Sequence, residues 1–545
     1  MHHTRWVNVI RDEEKSIGKG FAILSVANIL VRLLSLIYVP LLTNILGDDG
    51  YGVYGITYTV FSFIYIIATS GITVAISKYV SELSKKNYHK AALRAFKMAR
   101  AYLILIGFIL SVIMAALSGW LAALTKTPEI KTALIVLAPC IFFTAVLSAY
   151  RGYFQGRQQM RPTAITQIVE QVVNIIFSIA FAVILIKKSQ ELGVAGGSVG
   201  TSLGALAALI IIIIMFKRYF KRGFAIPGDN VRFPHNYKRI SRTLIKYSIP
   251  ITICTAVQFG GTMIDAWNTK GRLLVSGLLG LEANTQFGYL SKSQQFINVP
   301  VSLVTALAIA MLPAIASSIA VNDRRAAAKK IMYSFRLCYI ICVPAAFGLM
   351  VLSRGVYQIL FQSAGVEVLL YSALTIILLA TAQIQTSILQ SVNRLYQAVF
   401  SMAIGIIIKI AMNYYLIAIP SIRIYGAIIS TAVSMFTVIC INQYIINKKE
   451  RLRIKIISMI WRPVCSSIYM AAVISVLYVL PQRMLPGIFS GYIANLILVG
   501  FSTLVGVFVY FVIMARLKGL KKDDISSISP KAYKILPRFM KKMLT

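Results

Sequence analysis

The stretch GFAILSVANILVRLLSLIYVPLLTNILG, residues 20–47, is long and apolar enough to cross a membrane, and Arg32 is its single charged residue. A transmembrane helix needs about 20 predominantly apolar residues to cross ~30 Å of hydrocarbon. Runs of this kind recur along almost the whole chain of 545 residues, of which 58% are hydrophobic and 13% charged, unlike the composition of soluble domains. The sequence therefore predicts a multi-pass membrane protein.

The predicted fold class is all-α, with fourteen transmembrane helices. Alternating ten-residue segments, the pattern of a transmembrane barrel, are absent, and helices and closed barrels are the structures that satisfy the backbone inside lipid. The approximate limits of the fourteen runs are residues 20–46, 52–80, 101–124, 132–150, 163–186, 193–216, 244–268, 286–319, 331–352, 366–392, 398–419, 425–446, 463–480 and 488–515.

Positive charge is concentrated on one predicted side of the membrane. Of the 56 Lys and Arg residues, 43 lie in or beside the amino-terminal tail, every second loop and the carboxy-terminal tail, whereas the intervening loops hold nine. The positive-inside rule then places both termini in the cytoplasm. Loops that face anionic membrane lipids explain the net charge of +39, so no nucleic-acid partner is expected.

The sequence carries no motif of an enzyme or of a metal site. We find no HExxH, no GxSxG and no nucleotide-binding loop, and the six cysteines fall in or beside apolar spans. The longest internal loop, Lys217 to Tyr237, has one acidic residue, which disfavours a membrane glycosyltransferase. We expect no catalytic residues, no metal, no cofactor and no transport driven by nucleotide hydrolysis within the chain.

Two offset matches indicate an internal repeat. At an offset of 233 residues, NILGDDGYGVYG from Asn44 aligns with GLLGLEANTQFG from Gly277; at 239, EQVVNIIF aligns with KIAMNYYL, which matches Asn174 with Asn413. Each copy holds six spans, which is an even number, so both copies insert in one orientation, and a cavity between them is the expected transport path.

The predicted segments are an amino-terminal tail (1–19), an N-lobe (20–216), a basic interlobe loop (217–243), a C-lobe (244–446), a second basic loop (447–462), two appended helices (463–515) and a basic carboxy-terminal tail (516–545).

Four charged residues at matched positions have opposite signs. Arg32 matches Asp265, and Glu170 matches Lys409. A charge at mid-bilayer costs on the order of 3 kcal/mol, so these side chains are expected to face the bundle interior, water or one another. One interpretation is a local structural pair within each half. The other is that the first and seventh helices meet near the pseudo-two-fold axis, where Arg32 and Asp265 pair across the cavity in one conformation and part in the other. Glu170 and Lys409 are further candidates for gating or ion pairing.

Further cations lie along the predicted path. Lys270 and Arg272 are toward the outer mouth, Lys292 is about two turns into the eighth span, and Lys78 is near the cytoplasmic end of the second. Together with Arg32 they form a series of cations along the path, which suits an anionic substrate. A guanidinium fits phosphate oxygens in particular. For Lys78, Lys270 and Arg272 the alternative is that they reach from the span ends to the membrane interface.

Several stretches resemble one family of exporters. GITVAISKYVSEL from Gly71, YRGYFQGRQQMRPTAITQIVEQ from Tyr150, GGTMIDAW followed by Arg272, and VPVSLVTALAIAMLPAIASS from Val299 resemble the SpoVB/YtgP polysaccharide exporters. These are close to the MurJ-like lipid II flippases of the multidrug/oligosaccharidyl-lipid/polysaccharide (MOP) exporter superfamily. The resemblance covers nearly the whole chain and departs at Thr73, where the group usually has proline.

The resemblance implies a V-shaped pair of six-helix lobes that alternates between inward-open and outward-open states. It also implies a cationic cavity and a groove for a lipid tail formed by the last two helices. Arg32 resembles the cavity arginine of the first helix, and Lys292 is approximately aligned with a basic residue of the eighth. A further arginine of the second helix is missing from YTVFSFIYIIATSG.

The expected function is that of a flippase for an undecaprenyl-diphosphate-linked cell-envelope glycan precursor, lipid II first. It would move this partner from the cytoplasmic to the outer leaflet of a bacterial plasma membrane, as a monomer. The membrane potential, an ion gradient or removal of the product outside would set the direction, and the sequence leaves these three open. The alternatives are a flippase for another lipid-linked polysaccharide unit and a multidrug/cation antiporter of the same superfamily. The antiporter would be expected to carry more acidic residues in its spans.

Overall fold

The computed structural model describes the chain except for residues 1, 86–87, 222–236, 321–322, 362–363, 393, 450–453, 455, 485–490 and 520–545. For residues 2–25 and a few later positions only the backbone is described. The described residues form helices and connecting turns with no strand among them, so the predicted all-α class is confirmed. Most of the predicted loop 217–243 and of the predicted tail 516–545 lies outside the described residues.

Fifteen helices cover the described part of the chain, and a π-helical turn, Ile445–Lys449, continues the thirteenth. The helices are α1 His2–Lys85, α2 His89–Ala116, α3 Ser118–Leu124, α4 Ile130–Gly156, α5 Arg161–Leu185, α6 Gln190–Lys221, α7 Tyr237–Val275, α8 Gly280–Ala320, α9 Arg324–Leu360, α10 Val366–Ala373, α11 Thr375–Ser391, α12 Leu395–Leu416, α13 Tyr425–Tyr444, α14 Ile457–Met484 and α15 Tyr492–Arg516.

Helix α1 consists of two arms joined at Gly47. This residue has φ 75° and ψ 172°, a conformation that glycine adopts easily because it has no Cβ. The apolar part of α1, Val26–Ser84, has 59 residues, well over twice the length of one crossing, which is about 20 residues. The break at Gly47 therefore separates the first predicted span from the second.

Ten helices of the described chain are long and apolar enough to cross a membrane, or eleven if the bent pair α10 and α11 forms one span. The count of fourteen is therefore not confirmed. Helices α7 and α8 coincide with the predicted seventh and eighth spans but are not among these ten. Polar residues, including Thr252, Thr262 and Asp265, interrupt the apolar sequence of α7.

The chain divides into two compact units. Unit 1 extends to Leu274 and includes Leu278–Gly288, and unit 2 comprises the remainder, chiefly the chain from Tyr289 onward. The predicted N-lobe ended at residue 216, whereas unit 1 also holds nearly all of α7. Direct packing accounts for this: a methyl group added at Gly71 of α1 would lie 1.9 Å from Thr252 Oγ1 of α7.

Within unit 1, aromatic packing and a close glycine contact hold the helices together. The Phe96 ring centroid of α2 lies 4.9–5.0 Å from those of Tyr150, Tyr153 and Phe216 on α4 and α6. Helices α5 and α6 meet at Gly200, where an added methyl group would lie 2.2 Å from the carbonyl oxygen of Asn174. These contacts hold α2, α4, α5 and α6 together, and α5 carries Glu170.

Within unit 2, α14 and α15 pack against α9. The Tyr510 hydroxyl of α15 donates to the Ile340 carbonyl of α9 at 3.2 Å, and the Tyr478 hydroxyl of α14 donates to Asn495 Oδ1 of α15 at 3.3 Å. Tyr478 and Tyr510 are each 1% exposed. The two helices predicted as an appended pair therefore share one buried core with α9.

Candidate functional site

Arg32 lies in the first arm of α1, inside an apolar stretch, and its side chain is exposed. Leu30, Leu33 and Ile37 beside it are 44%, 48% and 61% exposed, whereas Leu42 further along the arm is fully buried. A charged group on an exposed helix face inside a membrane needs water or a polar partner. The side chain is therefore not part of the packed core of unit 1, and its role in binding stays a prediction.

Asp265, the residue matched to Arg32, is 3% exposed in α7. Both residues belong to unit 1. The predicted ion pair thus concerns two residues of one compact unit, and its role as a conformational switch stays a prediction.

Lys270 and Arg272 lie near the end of α7, beside the turn that joins α3 to α4. Lys270 is 3% exposed and Arg272 is half-buried. A methyl group added at Gly271 would lie 3.4 Å from Lys126 Cδ, and the Glu129 carboxylate interacts electrostatically with Lys270. The structure brings these groups of opposite charge together, and the predicted topology would put the cluster on the outer side.

Lys292 is fully buried in α8, inside unit 2. Its ammonium group lies 4.8 Å from the ring centroid of Phe361 and 5.5 Å from that of Tyr289. The Tyr357 ring packs against Phe361 with centroids 5.0 Å apart, and the Tyr357 hydroxyl donates to the Tyr289 carbonyl at 3.4 Å. In this structure the cation is held by aromatic faces and is shielded from solvent.

Lys78 lies in the second arm of α1 and is exposed. Its ammonium group is 4.2 Å from the ring centroid of Tyr247 on α7. This cation–π contact joins α1 to α7 within unit 1, close to the predicted cytoplasmic end of both.

Glu170 forms an ion pair with Arg151, a residue that the sequence reasoning did not single out. Arg151 Nη2 of α4 lies 2.7 Å from Glu170 Oε2 of α5, and Arg151 Nε donates to Thr166 Oγ1 at 3.2 Å. The sequence feature that could have identified this partner is the motif YRGYFQG, which places Arg151 in the last two turns of α4. Lys409, matched to Glu170, is 4% exposed in α12 of unit 2.

The structure distributes the predicted site residues between the two units. Unit 1 holds Arg32, Lys78, Asp265, Lys270, Arg272 and Glu170, and unit 2 holds Lys292 and Lys409. Arg32 and Lys78 are the exposed cations of this set. Such groups bind anions through charge and hydrogen bonds without any covalent step. In the described part of the chain, no group of three or more His, Cys, Asp or Glu is placed to hold a metal ion.

Comparison with curated proteins finds bacterial relatives. The lipid II flippase MurJ of Bacillus subtilis (strain 168) is 23% identical over 418 residues, which cover 73% of this chain and 77% of the relative. Stage V sporulation protein B of the same organism is 25% identical over 412 residues, covering 74% of this chain and 78% of the relative.

Solved structures share the fold. A structure of the lipid II flippase MurJ in an inward closed conformation superposes with a TM-score of 0.65 at 14% identity, covering 91% of this chain and 98% of the other. An inward-facing multidrug resistance MATE family transporter of the MOP superfamily superposes with a TM-score of 0.63 at 12% identity, covering 78% and 100%. At these identities the likeness shows the fold alone.

The polysaccharide biosynthesis protein family matches residues 17–319, more than half of the chain. The resemblance inferred from the motifs after Gly71 and Tyr150 is thereby confirmed. The chain belongs to the polysaccharide biosynthesis protein family, and it is similar to the relatives named as MurJ and as stage V sporulation protein B.

Proposed function

We propose that this protein is a flippase that moves an undecaprenyl-diphosphate-linked glycan precursor, with lipid II as the first candidate, from the cytoplasmic to the outer leaflet. The observation that carries the proposal is the exposed guanidinium of Arg32 inside the first apolar span. The relative named as a lipid II flippase and the match to the polysaccharide biosynthesis protein family support a lipid-linked glycan as the substrate.

The chemistry of Arg32 fits a diphosphate better than other membrane solutes. A guanidinium offers a planar set of N–H donors that can bind two phosphate oxygens at once, and the interaction strengthens where water is excluded. The diphosphate-sugar head would bind at this charged group while the lipid tail stays in the bilayer. Exposed apolar side chains on α14 and α15, such as Val476 at 59% and Leu504 at 73%, supply a surface for that tail.

Transport by this route requires two conformations and no covalent step. The head must meet the cationic residues from one side and leave to the other, so that the protein alternates its access. The positive charge on the predicted cytoplasmic loops supports termini in the cytoplasm. The membrane potential or an ion gradient then sets the direction.

A multidrug/cation antiporter is the second candidate because a MATE family transporter shares the fold. A cationic drug would need an accessible carboxylate. Two carboxylates lie well inside the predicted spans, of which Glu170 is paired with Arg151 and Asp265 is 3% exposed. The charge pattern therefore favours an anionic substrate.

The experiment that tests the proposal compares three substrates in one set of proteoliposomes. Fluorescent lipid II, a second undecaprenyl-diphosphate glycan and a cationic dye are each offered to the purified protein. We expect transbilayer movement of at least one lipid-linked glycan and none of the dye. Movement of the dye alone would show an antiporter and refute the proposal, whereas movement of the second glycan alone would correct the substrate and keep the class.

A further inference from the structure

A groove with a volume of about 360 Å³ lies in unit 1, bordered by the second arm of α1, by α2 and by α7. We call it the α2–α7 groove. Its volume falls within the range of small-molecule binding sites. Eight of its eleven lining residues are aliphatic, and the other three, Tyr102, Ser248 and Thr252, carry hydroxyl groups. The groove therefore suits an occupant that is mainly apolar.

Direct contacts hold the three helices around the α2–α7 groove. Gly71 of α1 approaches Thr252 of α7 so closely that no atom fits between the two helices there. The hydroxyl groups of Tyr102 on α2 and Ser241 on α7 are hydrogen-bonded at 2.8 Å. Because these contacts already fix the walls, a ligand would meet a preformed site.

The α2–α7 groove is open along one face of α7. Ile245, Ile249 and Ile253 line the groove and are 46%, 52% and 51% exposed. They follow one another at intervals of four residues, which places them on one face of the helix. At 1.5 Å per residue this open stretch is about 12 Å long. Since α2 and α7 coincide with predicted spans, a hydrocarbon chain is the occupant that such an opening favours.

Two cations continue the same face of α7 toward its predicted cytoplasmic end. Arg242 precedes Ile245 by three residues and Lys246 precedes Ile249 by three, so each cation is a neighbour of a lining residue on the helix surface. The structure describes both side chains, and both are exposed. The sequence from Tyr237 to Ile264 has no acidic residue. Charge complementarity therefore calls for an anionic group at this end of the groove.

The nearby carboxylate of α1 is engaged on another side of α7. Glu82 of α1 interacts with Tyr247, whose ring also receives the Lys78 ammonium group at 4.2 Å. Tyr247 is five residues beyond Arg242, which is about 140° around an α-helix. The Glu82 carboxylate is thus directed to the side of α7 that packs on α1, and the face with Arg242 stays positive.

We propose that the α2–α7 groove binds an acyl chain of an anionic phospholipid, with the phosphate headgroup at Arg242 and Lys246. The positive-inside rule places the start of α7 in the cytoplasm, and the cytoplasmic leaflet is the one that carries anionic lipid. Guanidinium and ammonium groups bind phosphate oxygens through charge-assisted hydrogen bonds. The site is independent of the transported substrate, because none of the cations predicted along the transport path lines it.

A tryptophan placed in the groove reports on its occupant. The four native tryptophans are replaced with Phe, and Ile106→Trp puts one indole in the α2 wall. Leu105→Trp, at the adjacent residue, which is 57% exposed and outside the lining, is the matched control. Phosphatidylcholine bilayers receive increasing fractions of brominated phosphatidylglycerol or brominated phosphatidylcholine. We expect phosphatidylglycerol to quench the groove indole at a several-fold lower fraction, and both lipids to quench the control equally.

Charge changes make the test specific. Arg242→Gln with Lys246→Gln removes both proposed headgroup partners, and each cation near an anionic lipid changes binding about fivefold, so the preference for phosphatidylglycerol should disappear. Lys217→Gln with Arg218→Gln, two exposed cations at the predicted cytoplasmic end of α6, should leave the preference unaltered. Equal quenching of the groove indole by both lipids, or equal effects of the two double variants, would overturn the proposal.

A second readout uses the protein with its native tryptophans. In detergent, phosphatidylglycerol should raise the midpoint of thermal unfolding of the wild-type protein more than phosphatidylcholine or undecaprenyl phosphate does. Arg242→Gln with Lys246→Gln should lose this difference. Equal stabilisation by the two phospholipids would contradict the proposal even if the single-tryptophan variants failed to fold. A larger effect of undecaprenyl phosphate, lost in the same variant, would assign the groove to an isoprenoid lipid and would also contradict it.

Discussion

Arg151 and Glu170 join α4 to α5 through an ion pair of 2.7 Å, with side chains 12% and 23% exposed. We predict that Arg151→Ala lowers the free energy of unfolding by about 3 kcal/mol, because it leaves a largely buried carboxylate without its partner. Glu170→Gln should cost clearly less, since the amide oxygen can still accept from Arg151. Thermal unfolding of purified protein in detergent measures both.

The double variant Arg151→Met with Glu170→Met is the matched control for that ion pair. It removes both charges and should recover much of the stability that Arg151→Ala loses. If the double variant is no more stable than Arg151→Ala, the carboxylate is not the source of the loss.

A second prediction concerns the contact between α1 and α8 inside unit 1. A methyl group added at Gly52 would lie 1.8 Å from the Asn284 carbonyl oxygen, so Gly52→Ala must push the two helices apart. We expect a loss of about 2 kcal/mol in unfolding free energy, the usual cost of overpacking. Gly280→Ala, at the first residue of α8 with no atom within 4 Å, is the control. Equal stability of the two variants would refute the tight crossing.

How far the sequence predicts this structure is clearest at the matched asparagines. Asn174 accepts hydrogen bonds from Ser178 and Thr201 at 2.9 and 3.2 Å, and Asn413 accepts from Ser430 on the next helix. The match at an offset of 239 residues therefore pairs two buried asparagines that both accept hydrogen bonds from hydroxyl groups. Hydropathy also located the helices, because an apolar run must be helical inside lipid.

Packing details were beyond the reach of the sequence pattern. Hydropathy measures the length of an apolar run and not its neighbours, so it could not place α7 in unit 1 or fix the number of spans. The partner of Glu170 depends on which faces of α4 and α5 meet, and the sequence pattern does not show this. Arg151 was therefore not predicted. The offset of 233 residues matched Gly47, which has a positive φ, to Gly280. In the structure the residue with a positive φ is Gly277, at 91°, three residues before Gly280.

The aromatic environment of Lys292 gives a third prediction. Phe361→Leu removes a ring 4.8 Å from a fully buried ammonium group, so unfolding free energy should fall by about 1–2 kcal/mol, whereas Phe361→Tyr should be close to neutral. Phe335→Leu, the same change at a fully buried ring of α9, controls for loss of a buried ring alone. If the changes at Phe361 and Phe335 to Leu cost the same, the cation–π contact contributes nothing.

Membrane orientation is open to a labelling experiment. In a cysteine-free background, Arg239→Cys near the start of α7 should react with an impermeant maleimide only after the cells are lysed, because the basic loops are predicted to be cytoplasmic. Leu281→Cys, 63% exposed near the start of α8, should react in intact cells. The reverse pattern would invert the predicted topology.

The most direct test of the proposed function measures lipid II flipping in proteoliposomes by the wild-type protein and by Arg32→Ala, Arg32→Lys and Arg161→Ala. Arg161 is an exposed arginine at the start of α5 and serves as the matched control. Since a hydrogen bond to a charged group contributes about 1.5–3 kcal/mol, Arg32→Ala should slow flipping about tenfold or more. Arg32→Lys should retain part of the rate because the charge remains without the planar donor set, and Arg161→Ala should match the wild type. Flipping by Arg32→Ala at the wild-type rate would contradict the account.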